Sequence, residues 1–170
     1  MDAIRISVDK ADAVNKGIDH QYVAGDDNNK LYVLASFLKS QKKNRGIIFT
    51  RTKAVAKVLA KQLASKNYEV GLLEGDMLQK DREKVMRAFK NKTLRLLVST
   101  DVAARGIDVD NLAFVVHYQL PDQNDYYTHR SGRTARAGKR GISLVLVNSK
   151  EQKRIWEIEK ELGIKFLKIK

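Results

Sequence analysis

Short, almost wholly apolar runs rich in β-branched residues take turns along this chain with longer stretches whose apolar residues recur at helical spacing, and no other feature restricts the fold so much. Ile47-Ile48-Phe49, Val70 to Leu73, Leu94 to Val98, Phe114-Val115-Val116 and Ile142 to Val147 read as strands. Apolar residues at consecutive positions suit strands covered on both faces, as in a parallel sheet; a half-solvated strand would alternate. Between them, Leu31, Leu34, Ala35 and Leu38 share one helical face, as do Val55, Val58, Leu59 and Leu63, and again Val85, Met86 and Phe89. Ser149 with Gln152 reads as a capping box opening a last helix that carries Ile155, Trp156, Ile158 and Leu162, with its Trp expected in the core. Strand and helix in strict turn with short links predict right-handed βαβ units and an open α/β sheet.

Ahead of these units, Ile4 to Val8 and His20 to Val23 are expected as strands, with Gly25 to Asn28 as a loop. No repeat, low-complexity stretch or proline-rich linker interrupts the 170 residues, and the single proline, Pro121, sits at a strand end. One domain over residues 1–170 is the expectation. Apolar residues at 43% exclude a disordered chain, and no apolar run approaches the roughly 18 residues of a membrane span. Without cysteine, disulfides and thiolate metal sites are excluded, and the three histidines have no metal-ligand spacing. The first residues lack a signal-peptide pattern, so a cytoplasmic location is expected.

Charge narrows the partner. Lys and Arg number 33 against 20 Asp and Glu, for a net +13. From Lys30 to Lys66 there are ten basic residues and no acidic one. Such a field attracts polyanions, although a basic surface also serves solubility alone.

Open α/β sheets collect ligands beyond the carboxyl ends of their strands, which directs attention to the polar segments there. No G-x-x-x-x-G-K-[ST] loop exists, and no Asp-Glu pair follows a Walker-type strand. The chain alone therefore lacks the means to cradle a triphosphate and hold its magnesium. It does have Tyr127-Thr128-His129-Arg130-Ser131-Gly132-Arg133-Thr134-Ala135-Arg136-Ala137-Gly138. Arginines fork onto phosphate oxygens and stay charged. Without a local P-loop, they suit a nucleotide held by another domain, or else a solvated basic helix end.

His129 to Gly138 resembles motif VI of the DEAD-box helicases, with Ser131 where that family has a branched apolar residue and Ala135 where it has glycine. Ser99 to Val109 (STDVAARGIDV) is similar to motif V, Ile47 to Thr52 to motif IV, and Gly75 to Arg82 to the segment carrying Q-x-x-R, with Glu74 in place of histidine. Val115 to Pro121 resembles the strand ending Tyr-Asp-x-Pro, with Gln119 in place of Asp.

This resemblance implies a RecA-like open, mostly parallel sheet, the C-terminal lobe of an ATP-dependent RNA helicase. It implies arginine fingers at Arg133 and Arg136, and nucleotide contacts at Gly106 and Asp108. RNA contacts would come from Thr50, Thr52, Gln79, Arg82 and Thr100, and coupling between lobes from Arg105, His129 and Arg130. ATP with Mg2+ would be held mainly by an N-terminal RecA-like lobe, RNA would be the other partner, and no metal would be bound here. Two alternatives stand beside it, a lobe of a related DNA helicase or translocase and a non-enzymatic basic RNA-binding module. His129 with Thr134 favours the RNA branch.

Overall fold

The computed structural model describes residues 17–135 and 140–169. Along them run β1 (Ile18–Ala24), α1 (Lys30–Ser40), β2 (Gly46–Thr50), α2 (Lys53–Ser65), β3 (Val70–Leu73), α3 (Gln79–Lys90) and β4 (Leu96–Thr100). There follow α4 (Asp101–Ala104), β5 (Phe114–His117), α5 (Asp125–Ser131), β6 (Gly141–Val147), α6 (Gln152–Leu162) and β7 (Leu167–Ile169). The strands form one sheet in the order β3-β4-β2-β5-β6-β1-β7, with every pairing parallel.

Side-chain alternation sorts the core into two layers. Ile48, Val98, Val116, Leu144 and Leu146 meet Leu34 and Leu38 of α1 and Leu59 and Leu63 of α2. On the opposite face, Ile47, Phe49, Leu97 and Val115 pack with Phe89 of α3 and with Ala103 and Ala104 of α4. Further along that face, Val145 and Val147 cover Tyr127 of α5 and Ile155, Ile158 and Leu162 of α6. All five positions of β2 and of β4 are buried, so these central strands show no polar alternation.

Three expectations shift. The strand expected at Leu94 starts at Leu96, because Thr93 and Leu94 still donate backbone hydrogen bonds to Ala88 at the end of α3. Its far end extends to Thr100, where pairing with β2 continues through polar residues. The capping box lies one residue earlier than Ser149 and Gln152. Asn148 Oδ1 accepts from the N–H groups of Lys150 (2.9 Å) and Glu151 (3.0 Å), and Glu151 Oε1 accepts from Asn148 N–H (3.1 Å). Trp156 is not core: it is 70% exposed, a third of a turn past Ile155 and off the face that Ile155, Ile158 and Leu162 bury. The strand expected at Ile4 to Val8 lies outside the described residues.

No described helix is long and apolar enough to cross a membrane.

Candidate functional site

At the carboxyl edge of the sheet, β2 and β4 end in register, Thr50 opposite Thr100. Each is followed at once by a helix capped by a threonine. Thr52 Oγ1 accepts from Val55 N–H (3.2 Å) at the start of α2, and Thr100 Oγ1 accepts from Ala103 N–H (3.3 Å) at the start of α4. A capping hydroxyl uses a lone pair and keeps its own proton to donate, for example to a phosphate oxygen. Thr50 differs: it is fully buried and its hydroxyl donates to Thr52 C=O (3.0 Å), which shapes the β2–α2 turn and presents nothing outward. Beside this edge, Gln79 begins α3 and donates to Glu83 (3.3 Å), while Arg82 reaches across to donate to Ala103 C=O (2.9 Å). Arg82 thus ties the first turn of α3 to α4.

The arginines of the second segment divide sharply. Arg130, on α5, is 1% exposed. Its Nε and Nη2 donate to the two carboxylate oxygens of Asp101 (2.6 and 2.7 Å), Nη1 donates to Gln119 C=O (2.7 Å), and the Phe49 ring lies beneath it with its centroid at 5.2 Å. Its charge is satisfied inside the lobe. Arg133 follows α5 and lies on the carbonyls of the loop after α4. Its Nη1 donates to Ile107 (2.7 Å) and Val109 (3.4 Å), and its Nη2 to Ala104 (3.3 Å). Carbonyls are neutral acceptors, which an anion can displace. Arg105, His129 and Asp108 are exposed. Gly106 takes φ +82°, the left-handed region where a side chain is strained.

Around these groups lies a cavity of about 260 Å3, lined among others by Asp101, Arg105, Gly106, His129, Arg130 and Arg133. Arginines and a left-handed glycine beside a capped helix start form a lining suited to an anion. Among the described residues, no three His, Asp or Glu side chains gather as a metal site.

A buried polar chain backs α5. Ser131 Oγ and Ser143 Oγ lie 2.8 Å apart, and Ser143 Oγ lies 2.8 Å from His117 Nε2. His117 stacks on Tyr127, ring centroids 4.7 Å apart, and Tyr127 OH meets His20 Nδ1 at 2.5 Å. Burial, then the Arg130 charge and His20, holds His117 well below its usual pKa of 6.5, so it is neutral. Burial raises the Tyr127 phenol.

The sequence matches the family described as Helicase conserved C-terminal domain over residues 29–138. It is 38% identical over 154 residues to the DEAD-box ATP-dependent RNA helicase CshB of Listeria monocytogenes, covering 91% of this chain and 35% of that protein. The chain belongs to the DEAD-box helicase family. Among solved structures, the DEAD-box lobe overlays a DEAD box protein from the hyperthermophile Methanococcus jannaschii with TM-score 0.86 and 39% identity, over 92% of this chain and 43% of that one. It overlays the C-terminal domain of the DEAD-box protein Dbp5 with TM-score 0.82 and 31% identity, over 90% of each. The parallel sheet is therefore the RecA-like C-terminal lobe of the family, and the chain spans about a third of the length of the curated relatives it matches.

Of the residues expected from the sequence, Arg105, Gly106, His129, Arg130 and Arg133 line this cavity of the DEAD-box lobe, while Thr52, Gln79, Arg82 and Thr100 sit on or near the adjoining edge. Arg136 lies outside the described residues. Two contributors escaped the sequence reading. Asp101 anchors Arg130, and an acid directly after Thr100 was its only signal. Gln119, set aside because it replaces the family's Asp, accepts from Arg51 N–H (2.8 Å) through Oε1 and pins the β2–α2 turn to the end of β5.

Proposed function

We propose that this chain, as one domain over residues 1–170, is the half of a cytoplasmic ATP-dependent RNA helicase that completes the ATPase site and grips the RNA backbone. ATP with Mg2+ is held mainly by an N-terminal RecA-like lobe, and short duplexes are opened locally as the lobes close on one strand. The observation that carries this reading is the convergence of Arg133, Gly106, Arg105 and His129 on one cavity between α4 and α5, with Thr52, Thr100 and Arg82 on or near the adjoining carboxyl edge.

In this reading Arg133 exchanges its carbonyl partners for the γ-phosphate when the lobes meet, and Arg136 joins it. Their charge opposes the negative charge that builds on the transferred phosphoryl group. Gly106 and Asp108 contact the nucleotide, and the hydroxyls of Thr52 and Thr100 donate to RNA phosphates. Thr50 and Arg82 hold the turns that present them, and Gln79 and Arg82 border the strand. Arg105 and His129 meet the other lobe, whereas Arg130 couples from within, by fixing Asp101 at the start of α4. Contacts of this kind position RNA without reading its sequence.

The test is RNA-stimulated ATPase activity after an N-terminal lobe with a P-loop is supplied. Arg133→Ala and Arg136→Ala should each lower turnover by about a thousandfold or more. Wild-type rates in both variants would remove the finger assignment. The lobe alone should show no turnover.

A further inference from the structure

The α2 helix carries a charge pattern that the proposed RNA groove along the carboxyl edge, with Thr52, Thr100 and Arg82, does not use. Lys53, Lys57 and Lys61 follow one another at intervals of four residues, all exposed, on the flank away from the buried Ala56, Leu59 and Leu63. Intervals of four advance about 6 Å along a helix and turn about 40° around it, so the three side chains form an oblique row. A helix face kept polar only for solubility usually mixes signs, because opposite charges four apart attract and like charges repel. The α3 helix does so, with Lys80, Asp81, Arg82, Glu83 and Lys84, and α6 mixes Lys153, Glu157, Lys160 and Glu161. No acidic residue occurs in α2 or anywhere from Lys30 to Lys66. Among the described residues, only Lys53 of the row makes a salt bridge, to Asp76 at 2.9 Å.

That bridge also orients the row. Asp76 lies in the turn between β3 and α3, so the start of the row, at Lys53, faces the β3 end of the carboxyl edge. The row begins one residue after Thr52, at the rim of the expected groove, and runs down the outside of the lobe. The geometry points to a second RNA-backbone site on the Lys53-Lys57-Lys61 flank of α2, which carries the strand onward once it leaves the groove over the β3 edge. This inference rests on RNA being the ligand of the groove. The row takes phosphates by charge alone and so accepts any sequence.

The test compares two single-stranded oligouridine RNAs by fluorescence anisotropy across a salt series, one that fills only the groove and one several nucleotides longer at each end. Wild-type protein should bind the longer RNA more tightly. Lys57→Ala with Lys61→Ala, both at exposed positions that alanine favours, should abolish that advantage and leave the short RNA unaffected. For the longer RNA the slope of log K against log salt should become shallower by about 1.4, two phosphates at roughly 0.7 each. Lys160→Ala with Lys165→Ala removes the same charge from the opposite layer and should leave the advantage intact. An equal loss in that control, or no loss in the α2 variant while Arg82→Ala still weakens the short RNA, overturns the row and leaves the groove standing. No binding of either RNA by wild-type protein overturns both.

Discussion

Ala135 stands at φ +64°, in the left-handed region, at the position where the DEAD-box pattern has glycine. A side chain there costs roughly 1–2 kcal/mol, partly offset by the lower chain entropy of alanine in the unfolded state. Ala135→Gly should therefore stabilise the lobe by about 0.5–1 kcal/mol, raising its thermal midpoint by about 2 °C in a scanning melt. The same turn lies against the start of β6, where a Cβ at Gly141 would collide with Thr134 and Ala135 N. Ser131, the other departure within that motif, is matched by a hydroxyl partner, Ser143. A polar residue in a buried position is thus satisfied.

At the scale of elements, the end of β6 and the start of α6 are joined by the reciprocal bonds of Asn148 and Glu151. Asn148→Ala should lower stability by about 1 kcal/mol in urea denaturation, whereas Ser149→Ala, at the residue that sequence spacing favours, should change it little. Strand β5 and helix α5 are joined instead through His117. Arg130 Nη1 lies 3.4 Å from its Nδ1, Ser143 Oγ lies at Nε2, and Tyr127 stacks on the ring. Its native pKa is depressed below the unfolded value of 6.5, so the unfolded chain takes up the proton first as pH falls. The stabilisation is complete above pH 6.5 and is lost progressively below it. The urea midpoint should fall as the pH drops below about 6.5, and His117→Asn, which cannot titrate, should flatten that slope.

For the molecule as a whole, the order β3-β4-β2-β5-β6-β1-β7 leaves β3 and β7 at the edges and keeps β2, β4 and β5 inside the sheet, each paired on both sides and covered on both faces. Amide exchange should follow this order. Amides of β2, β4 and β5 should exchange only through global unfolding, and those of β7, with two exposed residues of three, should exchange soonest. Equal protection of β7 and β2 would contradict the layered core. The turns that follow β2 and β4, with Thr52 and Thr100 at their helix caps, leave the carboxyl edge of this core.

The sequence by itself determined the sheet type, the run of βαβ units and the positions of the polar segments. Continuous apolar runs and helical periodicity are local patterns, and burial on two faces requires them wherever they occur. It also supplied the motif order that marks a DEAD-box lobe. What only the tertiary structure decided is the use of each charge. Arg105, Arg130 and Arg133 have the same chemistry in the sequence, yet one is exposed, one is buried on Asp101 and one lies on loop carbonyls. Those partners sit 24 to 29 residues away for Arg130 and Arg133. Thr50 and Thr52 are likewise two residues apart, one sealed beneath a turn and the other capping a helix at the surface. Such differences arise from which strands lie side by side, and a guanidinium or hydroxyl bonds to whatever that arrangement brings within 3 Å.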